Sequence, residues 1–325
     1  MDFRSIFEIK NSDEFQAKAL EVFRYQYQNN TVYRKFCSLL GKDHDKVTHI
    51  KDIPFLPIDF FKSKKIVSAS QTPTTVFTSS GTTGSVTSKH YVLDNAIYEQ
   101  SYLSAFELFY GDVSNYCVLA LLPSYLERQG SSLIYMVDDL IKKSHHPESG
   151  FYLNDFDLLQ KKLLALENKG TKILLIGVSF ALLDMVEQHS LHLKHTTIME
   201  TGGMKGRRKE MIREELHAVL KKGFGVPHIH SEYGMTELLS QGYSKGDGIF
   251  NTPPWMKILI RDPEDPLTYL SSGKTGGINV IDLANVHSCS FLATQDLGKV
   301  YPDDSFEVLG RFDNADIRGC NLMVL

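Results

Sequence analysis

Residues 78–89 read Thr78-Ser-Ser-Gly-Thr-Thr-Gly-Ser-Val-Thr-Ser-Lys89, a run of hydroxyl side chains and two glycines that closes on a lysine. Gly81 and Gly84 let the backbone turn so that successive N–H groups point into one concavity, an arrangement that holds anions. Thr78, Ser79, Ser80, Thr82 and Thr83 add short hydroxyl donors around the rim, and Lys89 brings a positive charge. The same composition also suits a flexible linker. Two features favour a phosphate loop. The run sits inside a globular sequence, and it follows Pro73-Thr-Thr-Val-Phe77, which reads as a short strand entering a turn. It lacks the Gly-Lys-Ser/Thr ending of a Walker loop, which sets ordinary P-loop nucleotidases aside.

Outward from this run, the chain alternates. Apolar strand-like stretches at 116–122, 172–178, 196–201 and 226–231 are separated by helix-like stretches at 131–143, 156–169, 181–189 and 207–222. Gly170 and Gly223 stand where helix C-caps belong. Such alternation predicts an α/β fold with a largely parallel sheet. Upstream, residues 12–40 have helical spacing, and Ile53-Pro-Phe-Leu-Pro57 forces an extended path. Lys62-Ser-Lys-Lys65 reads as a solvated turn. After residue 254 the rhythm shortens to candidate strands at 256–261, 277–283, 290–294 and 306–309, divided by turn residues. The expected division is therefore a helical N-terminal segment plus α/β body over 1–254, and a small β-rich subdomain with a short tail over 255–325.

Composition is that of an ordinary soluble globular chain: 325 residues, 42% hydrophobic and 23% charged. A formal charge of −4 without basic blocks argues against nucleic acid and acidic membrane surfaces. No apolar run approaches the ~18 residues of a membrane span, and the N-terminus is acidic where a signal peptide is apolar. The expected location is the cytoplasm. Cys37, Cys117, Cys289 and Cys320 are scattered singly, which speaks against a zinc site or a disulfide framework.

Four further segments carry chemistry. His230-Ser-Glu-Tyr-Gly-Met-Thr-Glu237 closes a strand; Thr201-Gly-Gly203 follows another, with Lys205, Arg207 and Arg208 just after it; Thr294-Gln-Asp-Leu-Gly298 and Gly310-Arg-Phe-Asp313 lie in the β-rich part. A hard cation on phosphates prefers a carboxylate such as Glu237, and an aromatic face such as Tyr233 suits a purine. His228 and His230 alternating with Glu232 fit a metal cluster or, more simply, the polar face of a strand. The basic residues 205–208 suit a solvated helix cap or a phosphate contact.

Taken in order over residues 78–313, these segments resemble the adenylate-forming superfamily of acyl-CoA synthetases and luciferases. Its loop runs Thr-Ser-Gly-Thr-Thr-Gly-x-x-Lys; here a second serine is inserted and the lysine falls two positions later. The resemblance implies ATP and Mg2+ as cofactors. It implies that Thr78 to Gly84 and Lys89 bind phosphates, that Gly202 and Gly203 floor the adenine pocket, and that Tyr233 and Gly234 meet the base. It gives Thr236 the α-phosphate region, Glu237 the Mg2+, Asp296 the ribose hydroxyls and Arg311 the ribose or phosphate. Gln295 stands where that pattern has glycine. The superfamily continues into a mobile C-terminal domain with a catalytic lysine, whereas this chain stops at Leu325; that domain is expected to be absent or vestigial, with Lys205 as a substitute cation.

A closer resemblance is to the LuxE-like acyl-protein synthetases. It is carried by Phe23-Arg-Tyr-Gln26, by Asp52-Ile-Pro-Phe-Leu-Pro-Ile-Asp-Phe-Phe-Lys62, by the loop, by Glu232-Tyr-Gly-Met-Thr-Glu237 and by Asp313-Asn-Ala-Asp-Ile-Arg-Gly-Cys320. It implies an adenylating body with a small distorted-barrel subdomain. The implied activity is ATP-dependent activation of a carboxylic acid, of the fatty-acid class, as acyl-adenylate. Transfer to Cys320 would follow, and then delivery to a reductase or another acceptor protein. A neighbouring Arg318 would favour the Cys320 thiolate and Gly319 would give it a hinge; alternatively Cys320 sits inert on a strand with Leu322 and Val324. An acyl- or aryl-CoA ligase is the nearest alternative. A different class is suggested by Gly177-Val-Ser179-Phe-Ala181, close to a hydrolase nucleophile elbow, with Asp282 and His287 as partners. That reading leaves the loop, the 233–237 segment and Arg311 unexplained. A nucleotide-binding module without turnover is the remaining option.

Overall fold

The computed structural model describes residues 3–69, 71–79, 86–122, 130–153, 155–202 and 211–312. Along the chain these form helices α1 (Ser12–Asn29) and α2 (Thr31–Leu39), strand β1 (Leu56–Pro57) and the short α3 (Phe60–Ser63). Next come β2 (Thr75–Thr78), β3 (Lys89–Val92), α4 (Asn95–Tyr110), β4 (Cys117–Leu121), α5 (Ser132–Ser144), β5 (Gly150–Phe151) and α6 (Phe156–Glu167). They continue with β6 (Ile173–Gly177), α7 (Ser179–Gln188), β7 (Thr196–Glu200), α8 (Arg213–Phe224), β8 (His230–Tyr233), β9 (Gly242–Ser244) and β10 (Ile249–Asn251). The last strands are β11 (Met256–Arg261), β12 (Gly276–Asp282), β13 (Phe291–Val300) and β14 (Phe306–Arg311). Among the described residues no helix is long and apolar enough to cross a membrane.

Two units divide these elements: Pro73–Pro253, and Met1–Thr72 together with Pro254–Leu325. The N-terminal helices thus cluster with the residues after 254, whereas sequence order had grouped them with the α/β body. In the Pro73–Pro253 unit the sheet is mixed. β5, β4, β6, β7 and β8 run parallel in that order, and β9 and β10 follow antiparallel. β4 and β6 are buried at every position, which explains their unbroken apolar sequences. The chain leaves β4 for β5 on one side and leaves β6 for β7 on the other. The carboxyl ends of β4 and β6 therefore flank a topological switch point, where open α/β sheets bind ligands.

Local chemistry explains several boundaries. Asp94, Ser131 and Asp155 cap α4, α5 and α6 by accepting backbone N–H bonds. Helix α8 runs past Gly223 and ends at Gly225, whose φ of 65° is the left-handed C-cap conformation. Gly223 is instead the close-approach residue of that helix, since any Cβ there collides with Val186 of α7. Because α8 reaches Phe224, residues 226–229 are consumed in returning to the sheet. The strand expected at 226–231 accordingly pairs from His230, with His230 opposite Met199.

The second unit carries β11, β12, β13 and β14 as an antiparallel sheet, with β1 parallel to β13. Its core centres on Phe291, ringed by Tyr33, Phe23 and Phe55 at centroid distances of 6.1, 6.2 and 6.2 Å. α1 is further bound to this sheet by Gln26. The buried amide donates to the carbonyls of Asn285 and Val286 and to Ser290 Oγ, and it accepts the Ser290 N–H. The two amide hydrogens are shared among three acceptors and the oxygen takes one N–H, so removing the amide orphans buried backbone groups. Gln26→Leu should lower stability by about 1–3 kcal/mol in urea denaturation and speed hydrogen exchange at Ser290; unchanged exchange there would mean the turn holds itself.

Candidate nucleotide site

The two described ends of the Ser/Thr/Gly run belong to a β-hairpin. β2 and β3 pair antiparallel with Thr78 opposite Lys89 and Phe77 opposite His90. The neck is closed twice: Ser79 N donates to the Ser88 carbonyl at 3.1 Å, and Ser88 N donates to Ser79 Oγ at 2.9 Å. Buried Phe77 anchors the hairpin against Tyr98 of α4 and Tyr135 of α5, at 5.4 and 5.6 Å. Thr78 N donates to the Gly130 carbonyl at 2.7 Å, which ties the neck to the segment after β4. Thr78, Ser79 and Lys89 are therefore brought together, with the Ser79 hydroxyl already used as an acceptor. Ser80, Gly81, Thr82, Thr83 and Gly84 lie outside the described residues.

His90 makes the decisive long-range contact. Its Nδ1 lies 2.9 Å from the Thr236 carbonyl, across 146 positions of sequence. A carbonyl only accepts, so Nδ1 carries the proton. Burial pushes this imidazole down to about 4 and keeps it neutral near pH 7. The hairpin and the Tyr233–Glu237 turn are thus fixed to one another in the same unit. The turn is also held to α4 by a Ser101–Ser240 hydroxyl bond of 3.0 Å. Within it, Tyr233 is buried and meets Phe250 edge-on at 6.2 Å, Gly234 is exposed, and Glu237 is only 6% exposed. A Cβ at Gly234 would run into the Glu232 carboxylate, which folds back over it.

Beside this turn, the end of β7 carries a buried carboxylate. Glu200 Oε2 accepts from Gly202 N at 2.7 Å and from Ser179 Oγ at 3.2 Å. Its other oxygen faces His217 Nε2 at 3.6 Å and Arg213 Nε at 3.7 Å. Burial raises this carboxyl, but His217, the Arg213 guanidinium, Ser231 and the Gly202 N–H outweigh it and hold Glu200 down at about 2. Gly202 takes φ 70°, and its carbonyl accepts Ser179 N at 2.8 Å, closing the turn onto the start of α7. Gly203 and Lys205 lie outside the described residues. Ser179 is 1% exposed with its hydroxyl committed to Glu200, so it lacks the exposed, base-activated geometry of a hydrolase elbow.

Sequence reading missed His90 and Glu200. Glu200 left a signal, a charged residue at the end of an apolar strand just before Thr201-Gly-Gly203. His90 left none. His230 belongs to β8 and contacts Tyr110, with Nδ1 3.2 Å from its hydroxyl. No cluster of three or more His, Cys, Asp or Glu that could hold a metal ion occurs among the described residues.

In the other unit, Asp296 and Arg311 are cross-strand partners on β13 and β14, with Arg311 Nε 3.5 Å from Asp296 Oδ1. Gln295 has no left-handed backbone and sits within β13, so the glycine of the adenylate-forming pattern is not required by the strand. Cys37, Cys117 and Cys289 are buried. Burial drives the Cys37 and Cys117 thiols up to about 12 and about 11, and Cys289 upward as well. Cys320 lies outside the described residues.

Glu232 gives a pH test of the turn. Burial, and then the negative Glu200, raise its carboxyl from 4.5 to about 8. Between about 6.5 and 8 the unfolded chain has released this proton and the folded chain keeps it, so stability falls as pH rises. His90 and His230, depressed to about 4 from 6.5, add a rise only below that window. Denaturation midpoints of the wild type should therefore drop from pH 6.5 to 8 more steeply than those of Glu232→Gln; equal slopes would place the Glu232 proton elsewhere.

The chain resembles known proteins in sequence and in fold. The family model "Acyl-protein synthetase, LuxE" matches residues 5–111. A long-chain-fatty-acid–luciferin-component ligase of Vibrio harveyi is 24% identical over 326 residues, covering 92% of this chain and 84% of the relative. The protein of the same name from Photorhabdus luminescens is 36% identical over 66 residues, 20% of this chain and 56% of its own. Among solved structures, a 2-hydroxyisobutyryl-CoA ligase in the postadenylation state matches with TM-score 0.66 at 10% identity, over 93% of this chain and 68% of its own. ATP-bound MatB from Rhodopseudomonas palustris matches with TM-score 0.54 at 18% identity, over 75% of this chain; the chain spans 48% of its length. These likenesses show the fold of the ligases' N-terminal domain. With a relative aligned along 92% of its length and the family model over residues 5–111, the chain is similar in sequence to the LuxE acyl-protein synthetases.

Proposed function

We propose that this chain is an ATP-dependent acyl-protein synthetase, which activates a fatty acid as its acyl-adenylate and passes the acyl group to a cysteine thiol. The observation that carries the reading is the His90–Thr236 bond, because it joins a Ser/Thr/Gly hairpin to a Tyr-Gly-Met-Thr-Glu turn beside the switch point of a parallel sheet. The name borne by the Vibrio harveyi relative supports a long-chain acid.

In this reading, backbone N–H groups and hydroxyls of residues 79–84, with Lys89, bind the β- and γ-phosphates. Thr236 meets the α-phosphate, Tyr233, Gly234 and the Gly202–Gly203 turn meet adenine, and Asp296 and Arg311 bind ribose. Glu237 would hold Mg2+. Glu237 is a buried carboxylate at the end of the turn, a ligand type that suits a Mg2+ ion arriving with phosphates. Bound Mg2+ supplies charge neutralisation on the phosphate oxygens. A carboxylate oxygen of the acid attacks the α-phosphorus, the bond to the β-phosphate oxygen breaks, and pyrophosphate leaves with the electron pair. A thiolate then attacks the acyl carbon and AMP departs, leaving a thioester.

The three described cysteines are buried and held as thiols, which makes them poor nucleophiles. That favours Cys320 as the first acceptor. The resemblance to acyl-protein synthetases adds a reductase or another protein as the second, and Lys205 is the proposed cation at the adenylation step.

Two experiments separate the steps. Glu237→Ala and Asp296→Ala should each lower pyrophosphate release roughly 10- to 100-fold, the size of a lost hydrogen bond to a charged group; wild-type rates would remove either residue from the site. Cys320→Ser should keep pyrophosphate release, yet lose the hydroxylamine-labile acyl group that mass spectrometry finds on the wild-type C-terminal peptide. A label on Cys37, Cys117 or Cys289, or acylation that survives Cys320→Ser, would defeat the shuttle and point to an outside thiol such as CoA.

A further inference from the structure

A chain of side chains in the Met1–Thr72 and Pro254–Leu325 unit leads from the surface to Asp296. Lys62 Nζ lies 2.6 Å from Asp59 Oδ1. The other Asp59 oxygen, Oδ2, accepts from Gln295 Nε2 at 2.6 Å. Gln295 Oε1 accepts from Arg311 Nη2 at 3.3 Å, and Arg311 Nε reaches Asp296 Oδ1 at 3.5 Å. Charges alternate along this line, and the uncharged amide sits at its centre.

Chemistry dictates that centre. A carboxylate can only accept and a guanidinium can only donate, so the residue between Asp59 and Arg311 must donate on one side and accept on the other. An amide does both, and only one of its two orientations satisfies both neighbours. The backbone sets the distances: Asp296 pairs with Arg311 across β13 and β14, Phe312 N donates to the Gln295 carbonyl at 2.7 Å, and Asp296 N donates to Thr294 Oγ1 at 3.1 Å.

We propose that Asp59 and Gln295 are positioning residues that preset Arg311 beside Asp296, so that the ribose-binding carboxylate meets nucleotide in a fixed geometry. Gln295 is the very position at which the adenylate-forming pattern has glycine, and a glycine there has no side chain with which to bridge Asp59 and Arg311. Energetics point to orientation as its role. The side chains of Asp59, Lys62 and Arg311 are 47%, 42% and 50% exposed, and ion pairs so exposed contribute little to stability. What the relay limits is the rotamer freedom of Arg311, which is lost anyway when ligand binds.

The proposal rests on the reading of Asp296 as ribose acceptor, so the test compares two nucleotides. Titration calorimetry with Mg2+ and either ATP or 2′,3′-dideoxy-ATP reads the ribose contribution directly. Wild type should prefer ATP. Gln295→Leu and Asp59→Ala should each reduce that preference about five- to tenfold, with dideoxy-ATP affinity unchanged, and together they should cost no more than one alone. The double exchange Asp59→Asn with Gln295→Glu reverses donor and acceptor while keeping an acceptor for Arg311, and it should restore the preference. Full ATP preference in the single variants would overturn the relay, as would equal loss of both nucleotides, which marks a merely structural role. Binding of neither nucleotide by wild type would instead refute the ATP reading on which the proposal stands.

Discussion

A parallel strand covered on both faces has no place for a polar side chain except where it ends, and this constraint arranges the Pro73–Pro253 unit. β4 and β6 are buried throughout, so their residues are apolar and their chemistry is displaced to the carboxyl ends. Glu200 shows the cost of that displacement. A carboxylate taken from water must be surrounded by donors, and this one draws them from Gly202 in its own turn, Ser179 of α7, Arg213 with His217 of α8, and Ser231 of β8. One charge thereby fixes the glycine turn and the starts of two helices. The geometry beside the switch point follows from satisfying Glu200, and not from any local preference of the turn itself.

What was legible in the sequence was chemistry contained in a few consecutive residues. The hydroxyl-glycine run and Tyr-Gly-Met-Thr-Glu announce themselves because each is a local device, and β4 and β6 do so because burial demands an unbroken apolar run. Relations between distant positions were illegible. Nothing near His90 says that its ring will meet the Thr236 carbonyl. The same limit explains Gly223 and Gly225, two residues apart and both suitable as caps. Only the proximity of Val186 forces the first to be glycine inside the helix and leaves the cap to the second. Gln295 read as a departure from a pattern, and its partner Asp59 lies 236 positions away.

Motif residues and the residues that hold them are of different kinds. The hairpin, the 233–237 turn and the Asp296–Arg311 pair carry the residues that the motifs name. Glu200 with its donors, and the amide between Asp59 and Arg311, form a framework around them. A search confined to motif residues passes over this framework, although it decides where the motif residues point.

The division of the chain into units has a consequence for biosynthesis. Pro73–Pro253 is contiguous, so every one of its strands has been synthesised once residue 253 is made. The other unit is interrupted by that entire insertion. The aromatic ring around Phe291 needs Phe23, Tyr33 and Phe55, and the Gln26 amide needs the 285–290 turn. α1 and α2 must therefore emerge first and wait, their apolar faces uncovered, through the synthesis of more than half the protein. Vectorial synthesis thus leaves the earliest-made helices as the last to find their core, and makes them the natural ground for chaperone capture or misassembly.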